Sequence, residues 1–148
     1  MQETKLKGYW WIKLYGPDGQ LKEAREGKNV VTTDGKEALA SLLASNLNSG
    51  VTNTFQYVAI GTDATGEDAA QTALLTEVSR HTGTVSYVSG AIYQVTATFA
   101  TGSGTGAIVE YGLFNSNAAG TMLTRDVESA INKGAADTLT IVHQITIG

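Results

Sequence analysis

The two histidines of this 148-residue chain are the residues best suited to metal binding or proton transfer. His143 lies on the apolar face of a C-terminal segment with strict period two, and no second ligand stands at the spacing of a zinc site. This pattern favours a histidine in the core or at a subunit interface over a metal ligand or a base. His81 follows Arg80 at a polar edge, where we expect it to be solvated.

Three acidic residues, Asp63, Glu67 and Asp68, share one polar loop and offer the oxygen ligands that calcium prefers. Their spacing does not fit the calcium loop of an EF-hand, because that loop needs glycine where this chain has Asp68. A solvated loop is therefore favoured, and cation binding there stays an open alternative.

Other polar motifs give no catalytic signature. The stretch 102–106, GSGTG, lacks the Lys-Ser/Thr pair and the following helix of a phosphate-binding loop. No G-x-S-x-G elbow is present. Glu110 and the pair Arg125–Asp126 lie within predicted strands and suggest a salt bridge at a subunit boundary, with an unsupported carboxylate pair as the alternative. We expect no enzyme activity, no bound metal and no cofactor.

Composition narrows the class of protein further. A hydrophobic fraction of 42% predicts one folded domain over residues 1–148. The net charge of −4 and scarce cations argue against nucleic-acid binding, and the absence of cysteine excludes disulfides and thiol chemistry. No apolar stretch has the length of a membrane span or the form of a secretion signal. We therefore expect no membrane partner and synthesis in a host cytoplasm.

The elements that must position these residues are mostly strands. Leu6–Tyr15 and Thr138–Ile147 alternate in polarity, and the turns at 16–19 and 89–90 are typical of antiparallel hairpins. Further strands are predicted at 20–26, 55–61, 82–88, 91–100, 107–114 and 121–127. The pattern predicts a mainly β fold, namely an antiparallel β-sandwich or flattened barrel.

One stretch, Asp34–Leu47, interrupts the strands with apolar residues at helical spacing. Asp34 and Glu37 fit a capping box at its start. The apolar stripe consists of Ala38, Leu39, Leu42, Leu43 and Leu47. We expect one inserted helix at about residues 34–47, packed against the sheet because a lone amphipathic helix is unstable.

The N-terminal segment is the best candidate for contacts with a partner. Trp10 and Trp11 are adjacent, so their rings face opposite sides of a strand and one must face away from the core. Which of the two is exposed stays open. Residues 1–8 could form an extended arm, with an ordinary first strand as the alternative. The hypothetical partner-binding residues are Lys5, Lys7, Tyr9, Trp10, Trp11, Lys13 and Tyr15.

Six stretches between residues 29 and 148 follow one another in a characteristic order. They are VVTTDGKEALASLLA, FQYVAIGTD, TALLTEVSR, VTATFATGSGTGAIVEYGLFN, GTMLTRDV and INKGAADTLTIVHQITIG. This series of strand and turn patterns resembles small structural proteins of tailed bacteriophage virions. Within that group the chain is most similar to capsid decoration proteins, which are also called auxiliary or cement proteins.

The resemblance implies a β protein that sits on the virion, at the capsid surface, as a homotrimer with an N-terminal arm over its neighbours. The implied partners are the major capsid protein, whose shell it would bind and stabilise, and further copies of this chain. One alternative is a tail, collar or fibre-attachment protein with tail proteins as partners. Another is a virion-borne module that binds carbohydrate or a receptor.

Overall fold

The computed structural model describes residues 5–44 and 54–147, which form nine strands and one helix. The strands are β1 Leu6–Tyr15, β2 Leu21–Val31, β3 Tyr57–Gly61, β4 Glu77–Thr82, β5 Thr84–Ser89, β6 Ile92–Phe99, β7 Gly106–Phe114, β8 Met122–Lys133 and β9 Thr138–Ile147. The helix, α1, spans Thr33–Leu43 between β2 and β3. The predicted fold class, mainly β with one inserted helix, is confirmed.

All the strands belong to one curled antiparallel sheet in the order β4-β3-β7-β8-β2-β1-β9-β6-β5. The last strand lies beside the first, because β1 is flanked by β2 and β9. In the described chain β2 pairs with β8 only at Val30 and Val31, and this short seam joins the two halves of the sheet. The result is a half-barrel, in agreement with the predicted flattened barrel.

The two edges of the sheet belong to one continuous stretch of chain. β4 ends at Thr82, β5 begins at Thr84, and only Gly83 separates them. The Gly83 N–H donates to Gln56 O at 2.6 Å, and a Cβ at this position would lie 2.5 Å from Val95 Cγ1. Glycine is therefore required where the chain crosses from one half of the sheet to the other.

The main core lies between the two halves of the sheet. It contains side chains from α1 and from every strand except β4 and β5. Its largest buried member is Trp10, which stacks on Tyr111 with ring centroids 5.9 Å apart. A smaller cluster on the opposite face of β3, β7 and β8 consists of Ala59, Leu74, Phe114 and Met122. The loop that contains Leu74 covers this second cluster.

The predicted capping box of α1 is wrong. The N-cap is Thr32, whose Oγ1 accepts a hydrogen bond from the Gly35 N–H at 3.0 Å and donates one to Met122 O. Thr32 is fully buried against β8, so a tertiary contact selects the cap. The helix begins one residue before Asp34, and the predicted residues 45–47 lie outside the described residues.

The apolar stripe of α1 is narrower than the sequence predicts. Ala38 is buried, and Leu39 and Leu42 pack on the core. Leu43 is 90% exposed, although it was expected to share this contact. The helix lies against β8, so only a narrow strip of its surface meets the sheet.

The N-terminal segment is a central strand. Leu6 pairs with Ile147, and Gly8 pairs with Ile145 on one side and Asn29 on the other. Residues 6–8 therefore belong to the sheet and not to an extended arm, and the predicted bounds of this first strand are confirmed. Residues 1–4 of the predicted arm lie outside the described part of the chain.

Candidate partner-binding face

The side of β1 that faces away from the core carries most of the predicted partner-binding residues. Strand alternation buries Trp10, Ile12 and Leu14 and turns their neighbours outward. β9 and β6 continue the same surface, which we call the outer face. Its members are Lys7, Tyr9, Trp11, Lys13, Tyr15, Gln94, Thr140, Val142 and Gln144.

Two aromatic rings form the centre of the outer face. Tyr9 and Trp11 lie on the same side of β1 with ring centroids 4.7 Å apart and planes tilted by 55°. Trp11 is opposite Val142 of β9, and Tyr9 is opposite Gln144. Because both rings are held on a paired, central strand, they form a rigid and partly exposed aromatic platform.

A hollow of about 350 Å³ lies beside this platform. Gln144 Nε2 donates to Gln94 Oε1 at 2.8 Å across β9 and β6, which fixes both amide groups. The hollow combines ring surface, amide and hydroxyl groups and an ammonium group, so it suits an amphipathic ligand group. Its lining residues are Trp11, Lys13, Tyr15, Gln94, Thr140, Val142 and Gln144.

A second hollow, of about 530 Å³, lies at the other end of β1 and is lined by three lysines. Lys7 and Lys28 come from neighbouring strands and Lys36 from the first turn of α1. The remaining lining residues are uncharged, so the potential there is positive on a protein whose net charge is −4. This arrangement can attract carboxylates on a partner.

The prediction that Trp10 binds a partner is wrong. Its side chain is fully buried and stacked on Tyr111 inside the half-barrel. Trp11 is therefore the ring that faces outward. Lys5 is exposed immediately before β1, and the predicted lysines Lys7 and Lys13 are exposed on the outer face.

The sequence did not identify the part of this face that comes from distant strands. Alternation along β9 shows that Thr140, Val142 and Gln144 share one side of their strand. Their position beside Trp11 follows from the pairing of the first and last strands, which no local pattern specifies. Gln94, Lys28 and Lys36 were missed for the same reason.

The predicted salt bridge exists, but it is buried within the chain. Arg125 donates to Glu110 Oε2 from Nε at 3.1 Å and from Nη2 at 2.9 Å, and neither side chain is exposed. Glu110 also accepts hydrogen bonds from the N–H groups of Leu75 and Thr76, at 3.0 and 2.7 Å. The Glu110 carboxylate is thus occupied by structural contacts.

The other end of Arg125 fixes the long loop between β3 and β4. Its Nη1 donates to Thr65 O at 2.9 Å and to Gln71 Oε1 at 3.0 Å. A Cβ at Gly61 would overlap Glu110 Oε1, so glycine lets the carboxylate reach this loop. The cluster holds the loop against the sheet, and its geometry favours a structural role.

The structure places His143 in the core, as the apolar alternation favours. Its Nδ1 lies 3.3 Å from Asn29 Nδ2, and burial lowers its pKa to about 4, so the ring is neutral at neutral pH. The expectation of a solvated His81 is wrong. Its Nε2 lies 2.7 Å from Ser103 Oγ, and its ring centroid is 4.6 Å from that of Phe99.

The acidic loop shows hydrogen bonds of its own backbone. Asp63 Oδ1 accepts from the Thr65 N–H and Asp68 Oδ1 from the Ala70 N–H, each at 2.8 Å. The hydrogen bonds to Thr65 lower the pKa of Asp63. Among residues 5–44 and 54–147, no three His, Cys, Asp or Glu side chains are grouped so that they could hold a metal ion.

None of the helical segments that the structure describes is long and apolar enough to cross a membrane. Comparison with known proteins gives no relative: no family model, no curated protein and no solved structure matches the chain. Its function must therefore be inferred from the outer face and from the sequence resemblance.

Proposed function

We propose that this chain is a structural protein of a tailed-bacteriophage virion that binds the capsid shell as a decoration protein. The resemblance over residues 29–148 supports the class of protein. The observation that carries the binding role is the outer face, where the rings of Tyr9 and Trp11 lie between Lys7 and Lys13 on a rigid sheet. Aromatic residues framed by lysines are typical of protein-binding surfaces.

The mechanism is passive. The exposed part of the Trp11 ring inserts into a groove of the major capsid protein, while the hollow around Lys7, Lys28 and Lys36 receives acidic side chains. A sheet surface loses little conformational freedom on binding, because its side chains are already ordered. If several copies of the chain act together, as the predicted homotrimer would allow, weak contacts combine into a firm hold.

The first test locates the chain in particles of the phage that encodes it. A tag on the chain is imaged in purified virions by electron microscopy, with untagged particles as the control. We expect label over the capsid shell. Label on the tail or collar supports the alternative placement and overturns the decoration role, and particles without label overturn the virion role.

The second test measures binding to capsid shells from which the chain has been removed. We expect Trp11→Ser to lower affinity by about 30-fold, the effect of losing a central aromatic contact of about 2 kcal/mol. The matched control is Leu75→Ser, which removes a side chain that is 49% exposed in the loop before β4. Equal affinity of Trp11→Ser and the unmodified chain would exclude the outer face as the binding site.

A carbohydrate-binding role is the second candidate, and the hollow beside Trp11 favours it. Tyr15 and Trp11 offer ring surfaces, and the fixed amides of Gln94 and Gln144 offer hydrogen bonds to sugar hydroxyls. A glycan array with the unmodified chain and Trp11→Ser tests this role. Glycan binding that depends on Trp11, without binding to shells, would favour the carbohydrate-binding role over decoration.

A further inference from the structure

The contact between β2 and β8 is the shortest pairing between two strands of the described sheet, and we call it the seam. Next to its two residue pairs, the Thr32 N–H donates to Leu123 O at 2.9 Å. β1, in contrast, pairs with β9 along its whole length. Few backbone hydrogen bonds hold the seam, so we expect the sheet to open there first. The members of the seam are Val30, Val31 and Thr32 on one side and Leu123, Thr124 and Arg125 on the other.

Asp126 is the first residue of β8 beyond the seam. It faces the core opposite Tyr111, it is 1% exposed, and its Oδ2 has no hydrogen-bond partner in the described structure. Further along β8 the pairing with β7 is also irregular, because residues 128–130 stand against Val109 alone. Asp126 therefore lies next to the section of β8 that lacks regular pairing with both of its neighbours.

The core side of β2 beyond the seam is polar. Glu23 and Arg25 point to this side, because their partners on β1 face the core, and they form an ion pair at 3.6 Å. Glu128 of β8 reaches the same side, since its Oε1 would lie 3.8 Å from a Cβ at Gly27. Beyond the seam, the two strands therefore meet through charged groups, which water solvates readily when the strands separate.

Ionisable groups from four parts of the chain surround Asp126. Burial, together with the carboxylates of Glu128 and Glu67, raises the pKa of Asp126 to about 8, and the Arg125 guanidinium has a smaller opposite effect. An ionised Asp126 is therefore disfavoured while the seam is closed. The surrounding groups are Glu128 and Arg125 of β8, Tyr111 of β7, Glu23 and Arg25 of β2, and Glu67 of the loop between β3 and β4.

We propose that the seam opens when Asp126 loses its proton, so that the end of β2 and the start of α1 separate from β8. Inside the core the carboxylate has no partner for Oδ2, whereas an open seam exposes it to water. Separation at the seam is sufficient for this, because Asp126 adjoins the last paired residue, Arg125. The start of α1 follows β2, since Thr32 caps the helix. The opening requires no capsid protein and does not depend on the proposed virion role.

The opening has a defined pH range. In the closed seam the pKa of Asp126 is about 8, whereas in the open seam water returns it to the ordinary value of 3.8. The closed form keeps a proton that the open form loses, so closure is fully favoured below pH 3.8. Above that pH the ratio of open to closed chains rises by up to about tenfold per pH unit, and it levels off above about pH 8.

Hydrogen exchange measured by NMR between pH 6.5 and 9 tests the opening, because His143 stays neutral throughout this range. Each rate is corrected for the pH dependence of exchange in an unfolded peptide and expressed as a protection factor. We expect protection of the Thr32 amide to fall by about 15-fold between pH 6.5 and 8 and to level off above pH 8. Amides of β1 that pair with β9 should keep higher protection at every pH, because they exchange only when the whole sheet unfolds.

Three variants assign the effect to Asp126. Asp126→Asn keeps the shape of the side chain without the titrating proton, and its Thr32 protection should change by less than about twofold over this range. The matched control is Asp18→Asn in the exposed turn between β1 and β2, which should retain the pH dependence of the unmodified chain. Glu128→Gln removes a carboxylate that raises the pKa of Asp126, so its Thr32 protection should level off at a lower pH.

Constant protection of the Thr32 amide in the unmodified chain from pH 6.5 to 8 would overturn the proposal. Equal protection of Thr32 and the β1 amides at every pH would also overturn it, because the sheet would then unfold only as a whole. A pH dependence that Asp126→Asn retains would assign the opening to another group. If Asp126→Asn does not fold, an unchanged levelling pH in Glu128→Gln overturns the role of Asp126 instead.

Discussion

Arg125 and Asp126 are consecutive on β8, are both buried, and have opposite surroundings. Arg125 points to one side of the sheet, where Glu110 and the loop before β4 use its donors. Asp126 lies opposite Tyr111 on the core side, and its Oδ2 has no hydrogen-bond partner in the described structure. A buried ion is stable only with charged or hydrogen-bonding partners. The side of the sheet that Arg125 faces supplies such partners, and the core side that Asp126 faces does not.

The difference appears in the charge state of the buried acids. Burial, together with the nearby carboxylates of Glu128 and Glu67, raises the pKa of Asp126 to about 8. Asp126 is therefore mainly protonated at neutral pH. His143 shows the same rule for a base, since burial lowers its pKa to about 4 and leaves it neutral. Asp126 and His143, which both face the core, are therefore mainly in their neutral forms at neutral pH.

The largest effect is expected from breaking the satisfied cluster. Arg125→Ala leaves the Glu110 carboxylate buried without its cation and removes the contacts to the loop. We expect the free energy of unfolding to fall by about 3–5 kcal/mol in denaturant titrations. The double variant Glu110→Gln with Arg125→Met should lose less free energy of unfolding than the two single variants lose together. A loss below about 1 kcal/mol for Arg125→Ala would show that the cluster does not support the fold.

Two neighbouring residues of α1 also have different surroundings. Leu42 packs against the core, whereas Leu43 is 90% exposed. Leu42→Asp places a carboxylate against apolar side chains and should lower stability by about 2 kcal/mol, while Leu43→Asp should stay within about 0.5 kcal/mol of the unmodified chain. Thermal unfolding of both variants measures the difference. Equal losses would mean that α1 is oriented otherwise.

The unpartnered Asp126 should make stability depend on pH. Its folded-state pKa of about 8 lies above the ordinary value of 3.8, so the folded chain keeps a proton that the unfolded chain loses. This contribution is fully present below pH 3.8 and is lost as pH rises to about 8, by up to about 1.4 kcal/mol per pH unit. We expect Asp126→Asn to gain stability relative to the unmodified chain over this range. Parallel stability curves between pH 4 and 8 would contradict this prediction.

His143 should act in the opposite direction over a shorter range. Its folded-state pKa of about 4 lies below the ordinary 6.5, so its contribution is present above pH 6.5 and is lost as pH falls towards 4. In the unmodified chain this loss opposes the gain from Asp126. We therefore expect His143→Gln to lose less stability on acidification from pH 6.5 to 4 than the unmodified chain does. Equal losses over that range would show that the ring titrates normally.

The accuracy of the sequence predictions follows the range of the interactions that define each element. β1 and β9 were predicted with the correct bounds, because alternating side chains encode a half-buried strand locally. β8 extends to Lys133, beyond the predicted end of the strand at residue 127, because its pairing with β7 continues past the local pattern. Thr32 was missed as the cap of α1 because its second hydrogen bond comes from a distant strand.

For the candidate binding face, too, the sequence predicts the features that depend on local geometry and not those that depend on distant strands. The sequence alone determines that Trp10 and Trp11 face opposite sides of a strand, because side chains alternate along any extended backbone. Only the tertiary structure decides that Trp10 stacks on Tyr111 and that Trp11 lies beside Val142. Only the tertiary structure, likewise, decides that Glu110 pairs with Arg125 and that the outward-facing side chains of β6 and β9 lie beside those of β1. Local backbone geometry sets the period of a strand, whereas the choice of buried side and of neighbours depends on pairing between distant segments.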